Sequence, residues 1–371
     1  MQVVCPQCNQ KTEFDPNQFN CSCGGAWEPV PVDSFDISII LSDHASLWRY
    51  QKIFNISELA SYTPLGAGWT PLIEADWGDN QIYLKLEFIS PSGSFKDRGT
   101  EVEMNVLKAL HVVDVVEDSS GNAGSSMAAY AARLGLHATI FSPADASPAK
   151  LRQIEMYGAK LEKIPGPRFK STEAVLNAVS RGAVYASHAY NPAYMLGQQS
   201  FAWEIWEQLG RKVPDAIVVP TGQGGLFMGT WLGFRRLFKA GMIDKLPRLY
   251  AVQTEIVSPI HQAFTAGLDH IPDFVPAGQT VAEGLATIKP VRGRRILQGL
   301  RETDGCTISV AEAEIKKAYH ALAEKGFYIE PTSAVVGAAL PEVFKQEGRK
   351  AIIVAALTGS GLKSPQKDKH E

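Results

Sequence analysis

One lysine stands where a helix pattern begins. Lys96 falls inside SPSGSFKDRGT, residues 90–100, and the helix-patterned run EVEMNVLKAL follows at once. A helix N-terminus disfavours a cation, so a lysine there suits an amine nucleophile, whose pKa helix N-termini and nearby cations depress. Three other loops carry complementary donors. TGQGGL, residues 221–226, sets Gly222, Gln223, Gly224 and Gly225 at a helix start, where backbone N–H groups approach an anion closely. No Gly-Lys-Ser/Thr follows, and the spacing is not G-x-G-x-x-G, so a single phosphate suits this loop better than a triphosphate or a dinucleotide. SSGNAGSS, residues 119–126, offers Ser119, Ser120, Asn122 and Ser125 at another helix start. Those donors suit a carboxylate or a phenolate oxygen; the alternative is an N-cap with redundant serines. LTGSGLK, residues 357–363, puts Thr358 directly after an apolar strand, where a hydroxyl can hydrogen-bond a neutral ring nitrogen.

Taken together, an amine, a phosphate cradle, an amide with hydroxyls and a neutral hydroxyl describe a pocket for pyridoxal phosphate. Lys96 would then hold the cofactor as a Schiff base. A second chemistry lies at the start of the chain, in Cys5-x2-Cys8 and Cys21-x-Cys23 followed by Gly24-Gly25. Paired thiolates suit a tetrahedral zinc site, although the second pair is C-x-C; the alternative is a cysteine-rich appendage without metal. No basic cluster surrounds it, which argues for a structural role. Cys306 opens the apolar run CTISV and is expected to be buried.

The elements that position these groups alternate along the chain. Strand-like runs are IYLKLEF, VVDVVED, HATIFSP, AVYASH, AIVVPT, RLYAVQTE and AIIVAALTG. Between them lie runs with apolar residues at helical spacing, such as NAGSSMAAYAARLG, QSFAWEIWEQLG and LFMGTWLGFRRLFKAG. Such alternation predicts parallel sheets covered by helices, an α/β fold whose functional loops lie at the carboxyl ends of strands. The expected domains are an extension over 1–30, an α/β domain over 31–205 with Lys96 and the asparagine loop, and an α/β domain over 206–371 with the glycine loop. The 371 residues are 45% hydrophobic and 20% charged with a net charge of −3, which excludes the basic footprint of a nucleic-acid binder. The start MQVVCPQCNQ has no signal-peptide pattern and no run is long enough to span a bilayer, so a cytoplasmic protein is expected. The tail SPQKDKHE is expected to fray.

SGSFKDRG, SSGNAGSS, GQGGL and LTGSGLK occur in the order and rough spacing of the tryptophan synthase β-like, or fold type II, pyridoxal phosphate enzymes. Within that superfamily the chain resembles the threonine synthases. LGAGWTPL is similar to their LGEG-x-TPL motif, EPTSAVVGAAL also fits, and CPQC…CSCGGAWE resembles the N-terminal extension of many members. The resemblance implies two parallel-sheet domains with the cofactor between them and a zinc-ribbon-like extension. It implies that Lys96 carries the cofactor, Asn122 meets its ring oxygen, Gly222 to Gly225 cradle its phosphate and Thr358 faces its pyridine nitrogen. Ser119, Ser120 and Ala123 would hold the substrate carboxylate, and Ser92 and Ser94 would touch substrate or cofactor phosphate. Asp97 and Arg98 read as scaffold, and Glu283 as a pocket candidate. A homodimer is expected by analogy.

Two stretches depart from the family pattern. Gly197-Gln198-Gln199-Ser200 stands where G-x-K-T is usual, and RFKSTEA, with Arg168 and Lys170, stands near an acidic D-D/E-A segment. The leading expectation is threonine synthase chemistry on an amino-acid substrate, with Arg168 and Lys170 as cations for a substrate phosphate. The alternative is β-elimination or β-replacement on serine- or threonine-type amino acids. A non-catalytic binding homologue is opposed by the presence of Lys96 and Asn122.

Overall fold

The computed structural model describes residues 1–364 apart from 58, 60, 145, 147 and 167; the tail expected to fray lies, from 365 onward, outside the described residues. The chain opens with three short antiparallel strands, β1 (Gln2–Val4), β2 (Lys11–Glu13) and β3 (Glu28–Pro29), in the order β2-β1-β3. This ribbon is too small for a core of its own and buries little beyond Val3, Cys5, Cys21 and Trp27. Glu28 fastens it to the body, paired with Arg295 at 2.9 Å and Arg292 at 3.4 Å.

After the one-turn helix α1 (Gln51–Phe54), the hairpin β4 (Leu72–Trp77) and β5 (Asn80–Leu86) forms one edge of a six-stranded sheet ordered β12-β11-β10-β13-β5-β4. The chain then leaves that sheet through α2 (Lys96–Ala109). A four-stranded parallel sheet follows, ordered β8-β7-β6-β9: β6 (Asp114–Glu117), β7 (His137–Pro143), β8 (Lys160–Ile164) and β9 (Val184–Tyr185). Its crossovers are α3 (Asn122–Leu134), α4 (Pro148–Met156) and α5 (Phe169–Val179). The long helix α6 (Pro192–Gln208) returns to the larger sheet, which β10 (Ala216–Pro220), β11 (Arg248–Thr254), β12 (Cys306–Val310) and β13 (Ile353–Leu357) complete, all parallel. The helices between them are α7 (Gly225–Lys239), α8 (Pro259–Thr265), α9 (Gly293–Glu302), α10 (Glu312–Glu324) and α11 (Pro331–Glu347).

The sheets therefore interleave along the chain and do not follow the expected division at residue 205. β5 lies in parallel register with β13, Val354 opposite Tyr83 and Leu357 opposite Leu86. Nothing local in IYLKLEF specifies a partner at the far end of the chain. Besides the ribbon, three strands escaped the sequence reading, one of them the apolar run CTISV, which forms β12. LIEADW (β4) and KLEKI (β8) are edge strands whose exposed, charged positions break the apolar run. The central β10 and β13, AIVVP and IVAAL, are buried throughout, as expected when helices cover both faces of a parallel sheet. One face packs on Trp203, Trp206, Phe227 and Trp231 of α6 and α7, the other on Ile315, Leu322, Val336 and Leu340 of α10 and α11.

The α2–α6 contact fixes the start of α2. Asn191 caps α6, its side chain accepting from Ala193 N at 2.8 Å, and Pro192 fills the first helical position. Gly197 lets the helices touch, because a Cβ there would lie 2.1 Å from the Arg98 carbonyl oxygen. Ser200 Oγ accepts from Arg98 at 3.0 Å. Gly197 and Ser200 of the divergent GQQS segment are thus packing residues.

Candidate active site

Lys96 is the first residue of α2 and lies 4.6 Å from the Phe95 ring centroid. Its ammonium makes no hydrogen bond or ion pair among the described residues. Burial pushes it down to about 8, against the opposing pull of the Glu117 and Glu330 carboxylates. The next two residues, Asp97 and Arg98, are held within the scaffold, as expected. Asp97 accepts from Ser92 N and Ser126 Oγ, both at 2.6 Å, and from the Ser92 hydroxyl. Arg98 sits in a fully buried four-charge cluster, holding Glu87 and Glu204 at 2.6 Å while Lys85 holds Glu204 at 3.0 Å. Burial alone would raise the Glu204 carboxyl; Arg98 and Lys85 override it and hold it down at about 2.

Three short segments stack to present Lys96. Phe95 N donates to the Thr358 carbonyl at 3.0 Å, Ser94 bridges Gly359, and Glu330 N donates to the Gly359 carbonyl at 2.9 Å. Ser94 Oγ is buried and has no partner among the described residues. Ser92 differs from expectation: its hydroxyl is held by Asp97 and its carbonyl accepts from Lys363 Nζ at 2.9 Å.

Asn122 opens α3, after the uncapped Gly121. Its Nδ2 donates to Glu330 Oε1 at 2.7 Å, whereas its Oδ1 is buried without a partner among the described residues. Ser119 Oγ accepts from Gly121 N at 3.3 Å, and Gly124 packs so tightly that a Cβ there would lie 1.8 Å from the Ser119 carbonyl oxygen. Ala123 is buried in the first turn and Ser120 is partly exposed. With no side-chain cap, the first-turn N–H groups of α3 are available to an anion.

Thr358 has a partner that the sequence did not announce. Ser333 Oγ accepts from Thr358 N at 2.9 Å and Gly359 N at 2.8 Å, and lies 3.0 Å from Thr358 Oγ1. With both lone pairs of Ser333 engaged, its own proton goes to the Thr358 hydroxyl or to the Gly359 carbonyl, 3.3 Å away, and Ser333 cannot accept from Thr358 Oγ1. The Thr358 hydroxyl proton is left free to donate elsewhere.

The glycine loop closes the opposite wall. Gly224 has φ +80°, and Gly225 begins α7 without a side-chain cap. A Cβ on Gly224 would lie 2.3 Å from Ile296 Cδ1 and one on Gly222 2.8 Å from the Gly284 carbonyl oxygen. Gln223 anchors the loop, its Oε1 accepting from Val291 N at 3.1 Å. The Tyr194 ring ties loop to lysine: Cβ atoms added to Gly99 and Gly225 would lie 2.4 Å and 3.4 Å from it.

Beside Lys96 lies an acidic wall. Glu117, at the end of β6, accepts from His188 N at 3.2 Å and lies 3.5 Å from its Nδ1. Burial and the adjacent Asp118 push Glu117 well above the ordinary carboxyl range. Burial, aided by the charge of Lys96, holds His188 well below the ordinary imidazole range, so its ring is neutral at pH 7. Arg168 is exposed at the start of α5 and acts electrostatically on Glu117, Asp118 and His188. Lys170 does not join it. Its ammonium is exposed and pairs with Glu173 at 2.8 Å within the same helix. Glu283 is largely exposed, 3.8 Å from Lys150.

On the ribbon the sulfurs of Cys5, Cys8, Cys21 and Cys23 all lie within 4.8 Å of one another. A hydrogen bond from the Cys23 N–H, opposed by burial, holds the Cys21 thiol down to about 7. Cys306, expected to be buried, is only partly so, its thiol directed at the Thr307 carbonyl at 3.5 Å.

Two parallel sheets, with a lysine at one helix start and an asparagine and a glycine loop at two others, make up the architecture of fold type II pyridoxal phosphate enzymes. The chain belongs to the pyridoxal-phosphate dependent enzyme family, whose model matches residues 63–359. It is 32% identical to the threonine synthase of Methanocaldococcus jannaschii, across 97% of this chain and 92% of that protein. It is 31% identical to the threonine synthase of Methanosarcina acetivorans, across 98% and 92%. Among solved structures, a threonine deaminase superposes with a TM-score of 0.69 at 25% identity, covering 78% of this chain and 92% of that one. Maize serine racemase gives 0.68 at 25% identity, covering 79% and 88%. Among the described residues no helix is long and apolar enough to cross a membrane.

Proposed function

We propose that the chain is a threonine synthase, converting O-phosphohomoserine and water to threonine and phosphate. The span of the likeness carries this reading. The alignment with the M. jannaschii enzyme takes in 97% of the chain, which leaves too few residues outside it to omit the ribbon over 2–29.

The groups around Lys96 fit pyridoxal phosphate. An Asn122 Nδ2 with one hydrogen beyond its Glu330 bond, an orphaned Ser94 Oγ, a free Thr358 proton and a tight glycine cradle lie in the segments that converge on the lysine. When bound, the cofactor supplies an electron sink for negative charge at the substrate carbons. Gly222 to Gly225 would hold its phosphate through backbone N–H groups, Asn122 would donate from Nδ2 to the ring oxygen, and Thr358 would donate to a neutral ring nitrogen. Lys96 anchors the cofactor and, with an amine held near pH 8, takes and returns substrate protons. The α3 start, with Ser119, Ser120 and Ala123, holds the substrate carboxylate. Arg168 is the cation for the substrate phosphate, since Lys170 is turned to Glu173.

The four cysteines hold one structural zinc in this reading. Tetrahedral Zn–S bonds of about 2.3 Å place sulfurs roughly 3.8 Å apart. The Cys5–Cys23 and Cys8–Cys21 separations are 3.5 and 3.6 Å.

One observation favours a second reading, β-elimination on serine or threonine. The charges that act on Lys96 are the Glu117 and Glu330 carboxylates, an acidic surround that suits an uncharged leaving group, with Lys150, 3.6 Å from Glu330, as the cation that offsets it. Incubation of the cofactor-loaded protein with O-phosphohomoserine decides: threonine and phosphate in equal amounts support the first reading, and no turnover overturns it.

A further inference from the structure

A cavity of about 360 Å³ lies where the ribbon and the following linker meet α6 and α7. That size falls in the range of small-molecule sites. Lys96 is not among the residues that line it. Arg236, on its wall, follows Gly225 by eleven helical residues, which at 1.5 Å each is about 16 Å along α7.

The wall is mostly apolar, with Val30, Val32, Phe54, Leu196 and Leu232, and carries cations from one helix. Arg235 is already engaged by Glu302 at 2.9 Å. Of the three acids that line the cavity, Glu28 is held by Arg292 and Arg295 and Glu13 by the N-terminal amine, while Asp33 is exposed and lies beyond ion-pair distance of Arg236. Arg236 differs. It is 9% exposed, yet no carboxylate lies within ion-pair distance among the described residues. Its Nε donates to the Ser34 carbonyl at 2.9 Å. Its two terminal nitrogens have no hydrogen-bond partner among the described residues and are not sealed from solvent, so they open to the cavity. Burial pushes this guanidinium down to about 10; no carboxylate among the described residues offsets it, and besides the Ser34 carbonyl it faces the Trp203 and Phe35 rings, 5.5 and 6.0 Å from their centroids. Buried charges are ordinarily paired.

We infer that this cavity is a binding site for a small aliphatic carboxylate, its anion held by the Arg236 fork and its chain by the apolar wall. A guanidinium fork matches a carboxylate with two parallel hydrogen bonds. Exposed Lys239, on the same wall, adds long-range attraction.

Calorimetric titration of the cofactor-loaded protein with 3-methylbutanoate, acetate and inorganic phosphate tests this. The expected result is one saturable site per chain that prefers 3-methylbutanoate over acetate by about tenfold or more, as an apolar wall requires. Arg236→Gln should weaken it by about ten- to a hundredfold, the value of a charge-assisted hydrogen bond. Leu232→Trp, which fills the cavity, should abolish it while the cofactor absorbance stays unchanged. Binding that survives both substitutions belongs to the substrate carboxylate site and overturns the inference. No saturable binding overturns it too, and tighter binding of phosphate than of 3-methylbutanoate overturns the carboxylate assignment.

Discussion

Asn122 Nδ2 donates to Glu330 Oε1 at 2.7 Å, a contact between residues 208 positions apart. The same carboxylate acts on Lys96, favouring its charged form, and Gly359 must be glycine because a Cβ there would lie 2.1 Å from Glu330 Oε1. One buried acid thus joins the asparagine loop, the lysine and the end of β13.

A pH shift follows. Lys96 loses its proton near pH 8, and the amine above that pH is the nucleophile. Protein stripped of cofactor should regain visible absorbance, on adding pyridoxal phosphate, at a rate that rises with pH to a midpoint near 8. Glu330→Gln removes a charge that stabilises the ammonium, so its midpoint should move to lower pH. Lys96→Ala should regain no absorbance. An unshifted midpoint in Glu330→Gln contradicts the assignment, as does a borohydride-stable link to another lysine in Lys96→Ala.

The Arg98 cluster should be expensive to break. Arg98→Met leaves Glu87 and Glu204 buried with only Lys85 to offset them. Removing one partner of a buried ion pair costs about 3–5 kcal/mol. Glu204 titrates at about 2 in the fold against 4.5 ordinarily, so its stabilisation is present above pH 4.5 and lost as pH falls toward 2. In the variant, acid unfolding should begin at higher pH and the thermal midpoint should drop. Denaturant and pH melts measure both; an unchanged acid limb would show that Arg98 does not hold the carboxylate down.

The ribbon should carry one zinc per chain. Chelation should loosen the ribbon and lower stability while leaving the cofactor absorbance intact, because the cysteines sit on the ribbon and not among the residues around Lys96. Elemental analysis of protein purified without chelator reads the stoichiometry. Absence of zinc, or direct loss of absorbance on chelation, contradicts it.

Arg168→Ala should raise KM for O-phosphohomoserine by about tenfold or more, the scale of one charge-assisted hydrogen bond, and leave cofactor affinity unchanged. Lys170→Ala, whose partner is Glu173, should change neither. Equal effects of the two substitutions would remove Arg168 from the site.

Legibility in the sequence followed locality. Lys96, Asn122, the glycine loop and Thr358 sit at strand ends and helix starts whose signals lie within a few residues, and α2, α3 and α7 begin where those signals place them. HATIFSP is β7 residue for residue. What was missed depends on chain ends meeting. Glu330 and Ser333 act through Asn122 and Thr358, and His188 through Glu117, at separations no local pattern encodes. Ser92 looked like a ligand donor because hydroxyl-rich loops read alike, whether they face a ligand or an internal carboxylate such as Asp97. Lys170 read as a pocket cation because charge shows in sequence and direction does not.

The central claim is the reaction. The most direct measurement is kcat/KM of the cofactor-loaded protein for O-phosphohomoserine, serine and threonine side by side, with phosphate, ammonia, keto acid and threonine all quantified. The account predicts that O-phosphohomoserine is preferred, with one phosphate and one threonine formed per turnover and little ammonia. Brisk release of ammonia and keto acid from serine or threonine, with no phosphate from O-phosphohomoserine, would contradict it.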